Sequence, residues 1–365
     1  MNDAADRLSI AAYSRPEEAL EGVAGSFGEA ALGCGEHTAD LHELAGARVL
    51  FRFAGRKLRE TLSPAFAHLA LQGNGPARPD LTVHLWDSTS TGAQPPPRPA
   101  VPDEFASGAM FHFHDGPVRG VYEPTTEALS IWDSRAGMAW YWVKDVARVP
   151  FWDRASPMRQ MLFWWLQSRG YLQVHGSAVG LSSGGVLMVG RRGSGKSVTS
   201  LASLGSSLLF AADDYVAVSM DPPFRLASIY SAGKLVPEQG RKLLPHLMPL
   251  ASNPDRLDTE KAVVFAHEHF PAQTTAGFPL AAILVPMVRV ERRESRIVDI
   301  PRTAAFAALA PSTIVQLRTA EQGALSFMSE LVKQVPSYGI ELGTDTTAIP
   351  GVIGDFLAGL VTSES

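Results

Sequence analysis

Between residues 47 and 150 the apolar positions recur with a period of two. ARVLFRFAG, LTVHLWDS, MFHFHDG, VRGVYE, ALSIWDS and MAWYWV are short, rich in β-branched and aromatic residues and bounded by turn formers, a pattern that predicts a run of strands. One helical stretch, RKLRETL, interrupts them and restarts at Ser63-Pro64 as SPAFAHLAL. The segment TGAQPPPRPAVP (91–102) reads as a surface loop, because proline lacks the donor a sheet ladder needs. After 150 the texture changes. Ser156-Pro157 offers a cap and first-turn pair, MRQMLFWWLQSR carries a broad apolar face, and Gly170 closes that helix. The pattern then predicts strands over 172–179 and 185–189, a loop over 190–195, a helix over 196–204, a strand over 207–212 and a terminal helix over 350–361. This places a boundary at 150: a β-rich α+β domain over 1–150, then an α/β domain over 151–365, with the MRQMLFWWLQSR helix opening the second.

Composition and charge remove several alternatives. With 365 residues, 45% hydrophobic and 19% charged, the chain is long and apolar enough for two folded cores. Its net charge is −5 and no Lys/Arg run makes a phosphate-tracking stripe, which argues against a nucleic-acid partner. Cys34 is the sole cysteine, so neither an internal disulfide nor a thiolate metal site can form, and a reducing compartment fits. The start, MNDAADRLSI, has neither the basic nor the apolar part of a signal peptide. The longest apolar stretch, FPLAAILVPMV (278–288), has 11 residues, too few to span a bilayer, and reads as a buried strand. The expectation is a cytoplasmic protein without a membrane partner; a homo-oligomer is compatible with the sequence, which does not specify one.

The chemistry concentrates after 170. GRRGSGKS (190–197) matches G-x-x-x-x-G-K-[ST], the loop that cradles a polyphosphate. In such a loop Gly190, Gly193 and Gly195 let backbone N–H groups turn inward, with Ser194 and Val198 lining the nucleotide. Lys196 reaches the β/γ oxygens and the Ser197 hydroxyl ligates Mg²⁺. With 32 glycines and 7 lysines in the chain, a chance match is on the order of one per cent. GVLMV before the loop is strand-like and SVTSLASL after it is helical, which turns a helix N-terminus toward the anion. No guanine-reading Asn-Lys-x-Asp run is present, which favours ATP over GTP. Soon afterwards SLLFAADD ends an apolar strand in Asp213-Asp214, the placement of acids that meet Mg²⁺. Neighbouring acids at a strand end point to different sides and can divide metal binding from proton transfer.

The stretch HGSAVGLSSGGVLMVGRRGSGKSVTSLASLGSSLLFAADDYVAV resembles the catalytic core of HPr kinase/phosphorylase and its HPr-kinase-like serine kinase relatives. The resemblance is specific over 170–217 and extends loosely through IYSAGKL, TEKAVVF, FPLAAILVP, LAPSTIVQL and YGIELG, which look like the subgroup found in bacterial biosynthetic clusters. It implies an α/β P-loop kinase core of HPr-kinase type, related to phosphoenolpyruvate carboxykinase, with ATP and Mg²⁺ as cofactors and phosphoryl transfer to a serine hydroxyl. Carried over, Lys196 and Ser197 hold phosphates and metal, Asp213 is the general base toward the serine, and Asp214 and His175 are its metal-side and phosphate-side neighbours. Arg191-Arg192 and Val198 depart from the family's loop, its Glu-x-x-Gly-Leu-Gly-like signature is not recognisable, and residues 1–150 do not resemble its N-terminal domain. HPr as substrate and phosphorylase activity are therefore not implied.

Weaker signals complete the picture. Lys234 and Arg192 are candidate contacts for phosphate or substrate. His112-x-His114-Asp115 and His267-x-His269 have zinc-compatible spacing, but alternation on a strand more often puts two histidines on one exposed face. Trp132, Trp140 and Trp142 read as core before peptide-docking surface, and Glu260-Lys261 as a surface ion pair. The expected function is an ATP- and Mg²⁺-dependent kinase of serine hydroxyls on a peptide (a lasso-peptide precursor, for instance), a protein or a small acceptor, with residues 1–150 choosing the acceptor. The alternative is a nucleotide-binding regulatory module with little or no phosphotransfer.

Overall fold

The computed structural model describes residues 15–35, 37–72, 78–97, 116–316 and 323–363. It is a mixed α/β structure whose chain divides into two compact units that interleave along the sequence. One runs to Ser63 and takes in Ala70–Arg154 and Met158–Trp165; the other takes in Pro64–Leu69 and Ala155–Pro157 and continues from Leu166. The helix Arg159–Ser168 therefore belongs to both.

In the first unit β1 (His37–Leu44), β2 (Ala47–Ala54), β3 (Leu81–Asp87), β4 (Val118–Glu123), β5 (Ala128–Asp133) and β6 (Met138–Val143) form one sheet in the order β1-β2-β3-β6-β5-β4. β2, β3 and β6 are parallel, and antiparallel partners close both sides. The period-two pattern shows in β2, where Phe51 and Phe53 are buried and Arg52 between them is exposed. The helix Pro16–Cys34 packs Ala19, Val23 and Ala30 into a cluster with Trp86, Trp140 and Trp142, and sets the Phe27 ring edge-on to Trp86 at 5.7 Å. Sequence periodicity missed this helix, because Gly25, Gly28 and Gly33 break its apolar stripe and lower its intrinsic propensity. Its signals are Pro16 in the first turn and Gly35 in the left-handed region just past its end. Trp132, Trp140 and Trp142 are 4%, 6% and 1% exposed, so they are core. His112, His114 and Asp115, with the rest of MFHFHDG before Gly116, and positions 98–102 of the proline-rich segment lie outside the described residues.

His42 and His84 are buried in this unit, and burial pushes both down to about 4. An unfolded histidine titrates near 6.5, so the unfolded chain takes up protons first. Stability that is intact above about pH 6.5 is lost as pH falls toward 4, by about 2 kcal/mol per histidine at pH ~4.5. Urea unfolding should show His84→Phe losing less stability than wild type between pH ~7 and ~4.5; equal losses would exclude the assignment.

The second unit contains β7 (Tyr171–His175), β8 (Ser177–Leu181), β9 (Gly184–Met188), β10 (Leu209–Ala212), β11 (Tyr215–Ser219), β12 (Arg225–Ser228), β13 (Ala232–Leu235), β14 (Ala262–Phe265), β15 (Gly277–Val288), β16 (Arg296–Asp299) and β17 (Ser337–Leu342). Nine of them form a mixed sheet along β10-β8-β9-β15-β12-β11-β7, with β17 joining β15 to β16; β13 and β14 make a separate ribbon. The single strand expected over 172–179 is two. Gly176 marks the switch: β7 pairs with β11, whereas β8 pairs with β9 and β10. The Gly176 N–H donates to the Asp214 carbonyl at 3.0 Å, and a Cβ there would stand 2.8 Å from the Met188 oxygen, so no side chain fits. The 196–204 and 207–212 elements are the helix Lys196–Ala202 and β10, and the chain ends in the helix Ile349–Ser363.

The SPAFAHLAL restart is a 3-10 helix, Ser63–Leu69, most of which belongs to this unit. The Ser231 N–H donates to the Ala65 carbonyl at 2.8 Å, the His68 Nε2 lies 2.6 Å from the buried Ser228 hydroxyl, and the Phe66 and Tyr230 rings are 5.4 Å apart. No helix among the described residues is long and apolar enough to cross a membrane.

Candidate active site

The segment 189–195 joins β9 to the helix Lys196–Ala202. Gly190, Gly193 and Gly195 have φ of 157°, 82° and 105°. Gly195 is the most constrained: a Cβ would lie 2.4 Å from Leu342 Cδ1 in a conformation that other residues avoid. Arg191, Arg192 and Gly193 are exposed at the loop tip. The Ser194 hydroxyl is buried and has no hydrogen-bond partner among the described residues, whereas Val198 packs partly buried against the hydrophobic cluster of Leu201, Leu284 and Ile340. Lys196 folds back across its own loop, donating to the Gly190 carbonyl at 2.5 Å and reaching the Arg191 carbonyl at 3.4 Å. Burial lowers its proton affinity against the opposing pull of Asp213 and Asp214; Lys261 adds a further downward push.

The two aspartates face different surroundings. Asp213 is 1% exposed and both its oxygens are engaged: Oδ1 accepts from the Ser200 hydroxyl at 3.0 Å and Oδ2 from the Lys234 N–H at 2.9 Å. The Ser177 hydroxyl donates to its main-chain carbonyl. Burial, reinforced by the charge of Asp214, raises its pKa to about 6; the Lys234 N–H and the Ser197 hydroxyl oppose the rise. The side chain of Asp214 is 22% exposed, pairs with the Lys234 ammonium, and has the His175 Nε2 4.0 Å from Oδ1. Burial alone would raise it, but the charges of Lys234 and His175 outweigh that and hold it well below the usual carboxylate range. Lys234 moves upward: burial works against its charge, and Asp214, Tyr215 and Asp213 overcome it.

His175, Asp214, Lys234 and Asp213 are thus linked by direct contacts, and Lys196 and Ser197 open the helix whose Ser200 hydroxyl reaches Asp213. Arg192 lies at the exposed tip and has no ion pair among the described residues. Sequence reasoning missed Ser177 and Ser200. Ser200 follows Lys196 by one helical turn, a spacing that could have revealed it. Ser177 had no signal beyond its place after His175-Gly176. The ring of His267 is tied to Thr274 at 2.7 Å, and among the described residues no group of three or more His, Cys, Asp or Glu side chains is gathered to hold a metal.

No family model and no curated protein matches the chain. Among solved structures it has a weak neighbour in the HPr(Ser) kinase/phosphatase from Coxiella burnetii, at a TM-score of 0.29 and 10% identity, covering 53% of this chain and 99% of that one. A likeness of that size defines neither a family nor an activity.

Proposed function

We propose that the chain is an ATP- and Mg²⁺-dependent kinase that transfers the terminal phosphoryl group to a serine hydroxyl of a peptide or other small acceptor. The observation that carries this reading is the meeting of two motifs separated in sequence: the helix that opens with Lys196 and Ser197 at the end of the glycine loop donates its Ser200 hydroxyl to Asp213 at 3.0 Å. The loop supplies turned backbone and a cation for the phosphates. Ser197 and Asp213 are an oxygen donor set suited to Mg²⁺, which usually takes one or two carboxylates and completes its shell with phosphate and water. When bound, the ion would neutralise charge on the phosphates.

Exposure and pairing favour exchanging the roles expected of the two acids. Both Asp213 oxygens are occupied by chain donors, whereas Asp214 faces His175 and Lys234 with part of its surface open. A proton acceptor must first be reachable, and only then is its pKa decisive. In the proposed transfer the serine oxygen bonds to the terminal phosphorus, the bond to the bridging oxygen breaks, ADP leaves and the serine proton passes to the Asp214 carboxylate. Lys234, shared between that carboxylate and incoming phosphate, releases part of its hold on Asp214 and makes it a stronger base.

The experiment is calorimetric titration of Mg-ATP into wild type and Lys196→Ala, with mass spectrometry of serine peptides after incubation. Binding should weaken by tenfold or more in the variant, roughly the loss of a charged hydrogen bond, and peptides should gain one phosphate with wild type only. Equal ATP affinity in the two proteins would remove the phosphate-loop reading.

A further inference from the structure

We infer that Lys261 is a third cation of this site and contacts the terminal phosphate of the bound nucleoside triphosphate, a step that rests on the kinase function proposed above. Lys261 belongs to neither the glycine loop nor the acidic pair. Its place follows from register. In the ribbon, Lys234 lies opposite Val263 and Leu235 opposite Ala262. Side chains alternate along a strand, and continuing that alternation one residue back from the start of β14 puts Lys261, two residues before Val263, on the ribbon face of Lys234. The opposite face rests on the helix that starts at Lys196: a Cβ on Gly233 would lie 2.3 Å from Leu201 Cδ2. The ribbon thus connects the helix bearing one lysine to the face bearing the other two.

The backbone at Lys261 is fixed by a buried amide. Asn253, 4% exposed, donates from Nδ2 to the Lys261 carbonyl at 2.9 Å and accepts the Val263 N–H at 2.9 Å. The same Nδ2 donates to Glu260 Oε2 at 3.0 Å, and Arg256 pairs with Glu260 at 3.4 Å. The surface ion pair expected between Glu260 and Lys261 is therefore replaced: the neighbouring carboxylate is held by Asn253 and Arg256. Among the described residues Lys261 has neither an ion pair nor a side-chain hydrogen bond, although it is only half-exposed.

Three of the seven lysines of the chain converge here, and they differ in what balances them. Lys196 is held by loop carbonyls, and Lys234 is matched by Asp214. Lys261 alone of the three lacks both. A partly desolvated ammonium without a counter-charge is unfavourable until an oxyanion meets it. The anion that lies between the loop lysine and Asp214 during transfer is the terminal phosphate, the group ATP has and ADP lacks.

Nucleotide discrimination tests this directly. Mg-ATP and Mg-ADP are titrated into the full chain carrying Lys261→Met or Lys261→Arg, with the exposed Lys242→Met as a charge control and thermal unfolding as a check on folding. Lys261→Met should weaken Mg-ATP roughly tenfold to a hundredfold, the range for a charged hydrogen bond, and Mg-ADP by less than about twofold. Lys261→Arg should recover most of the loss, and Lys242→Met should change neither. Should Lys261→Met unfold early, Lys261→Gln replaces it in the same comparison. Unchanged ATP affinity, equal loss for both nucleotides, or an arginine variant no better than methionine overturns the assignment. So does a raised KM for the peptide at unchanged ATP affinity, which would put the anion on the acceptor. Wild type that binds neither nucleotide removes the kinase function together with this contact, whereas wild type that binds ATP beside an unaffected Lys261→Met removes the contact alone.

Discussion

Asp214→Asn should bind Mg-ATP nearly as well as wild type and transfer phosphate to a serine peptide roughly 10²–10⁴-fold more slowly. The substitution keeps the size of the side chain and one acceptor oxygen but removes the basic carboxylate. It also releases Lys234 from its ion partner, so ATP affinity should be unchanged or slightly higher. Asp213→Asn should behave differently. Its oxygens accept from Ser200 and from the Lys234 N–H, and an amide can match only one of these donors, so the loss should include folding stability and the Mg²⁺ concentration needed for activity. Single-turnover rates at saturating Mg-ATP separate the two. A full rate in Asp214→Asn with a lost rate in folded Asp213→Asn would return the base to Asp213.

Trp86→Ala should destabilise the first unit by about 3–5 kcal/mol, a large fraction of the roughly 5–15 kcal/mol that holds a domain together. Trp86 is fully buried on β3, where it meets Phe27 and the cluster of Trp140 and Trp142. Truncation removes most of a large aromatic surface from a site enclosed by helix and sheet, which cannot collapse to fill it. Trp86→Phe provides the control. Among the described residues the indole N–H has no hydrogen-bond partner, so its removal costs area but relieves an unmet donor, and the net loss should be about half or less. Urea midpoints followed by far-ultraviolet circular dichroism measure both. Equal losses in the two variants would show that the cavity is not the main term.

The parts of this site that could be read from the chain are those whose chemistry demands fixed residue types at fixed local spacing. GRRGSGKS is visible because eight consecutive positions must make one loop, and Asp213-Asp214 because the acids end an apolar run. Lys234 and Lys261 lay only in loosely matching segments, and Lys261 read as half of a surface ion pair with Glu260: its relation to the site arises from the pairing of β13 with β14 and from the Asn253 amide that holds its backbone, neither of which has a local signature. The same limit hid the break at Gly176. LQVHGSAV is continuously strand-like in sequence, and only the different partners of β7 and β8 show that the chain switches position there. In the first unit the helix Pro16–Cys34 was missed because its stabilisation is tertiary, coming from Trp86 and its neighbours and not from propensity.

The 3-10 segment that contains Ala65 and His68 has a consequence for how the chain is made. A ribosome releases it roughly 160 residues before Ser228 and Ser231 appear, which at 5–20 residues per second is on the order of ten to thirty seconds. During that interval its partners do not yet exist, while the strands that flank it, β2 and β3, can already pair. The segment must therefore wait as a hook between the early strands of one unit until β12 and the approach to β13 arrive to take it. The same hook sets a rule for cutting the gene: a fragment beginning at 151 would lack it and leave the Ser231 N–H, three residues from Lys234, without its acceptor.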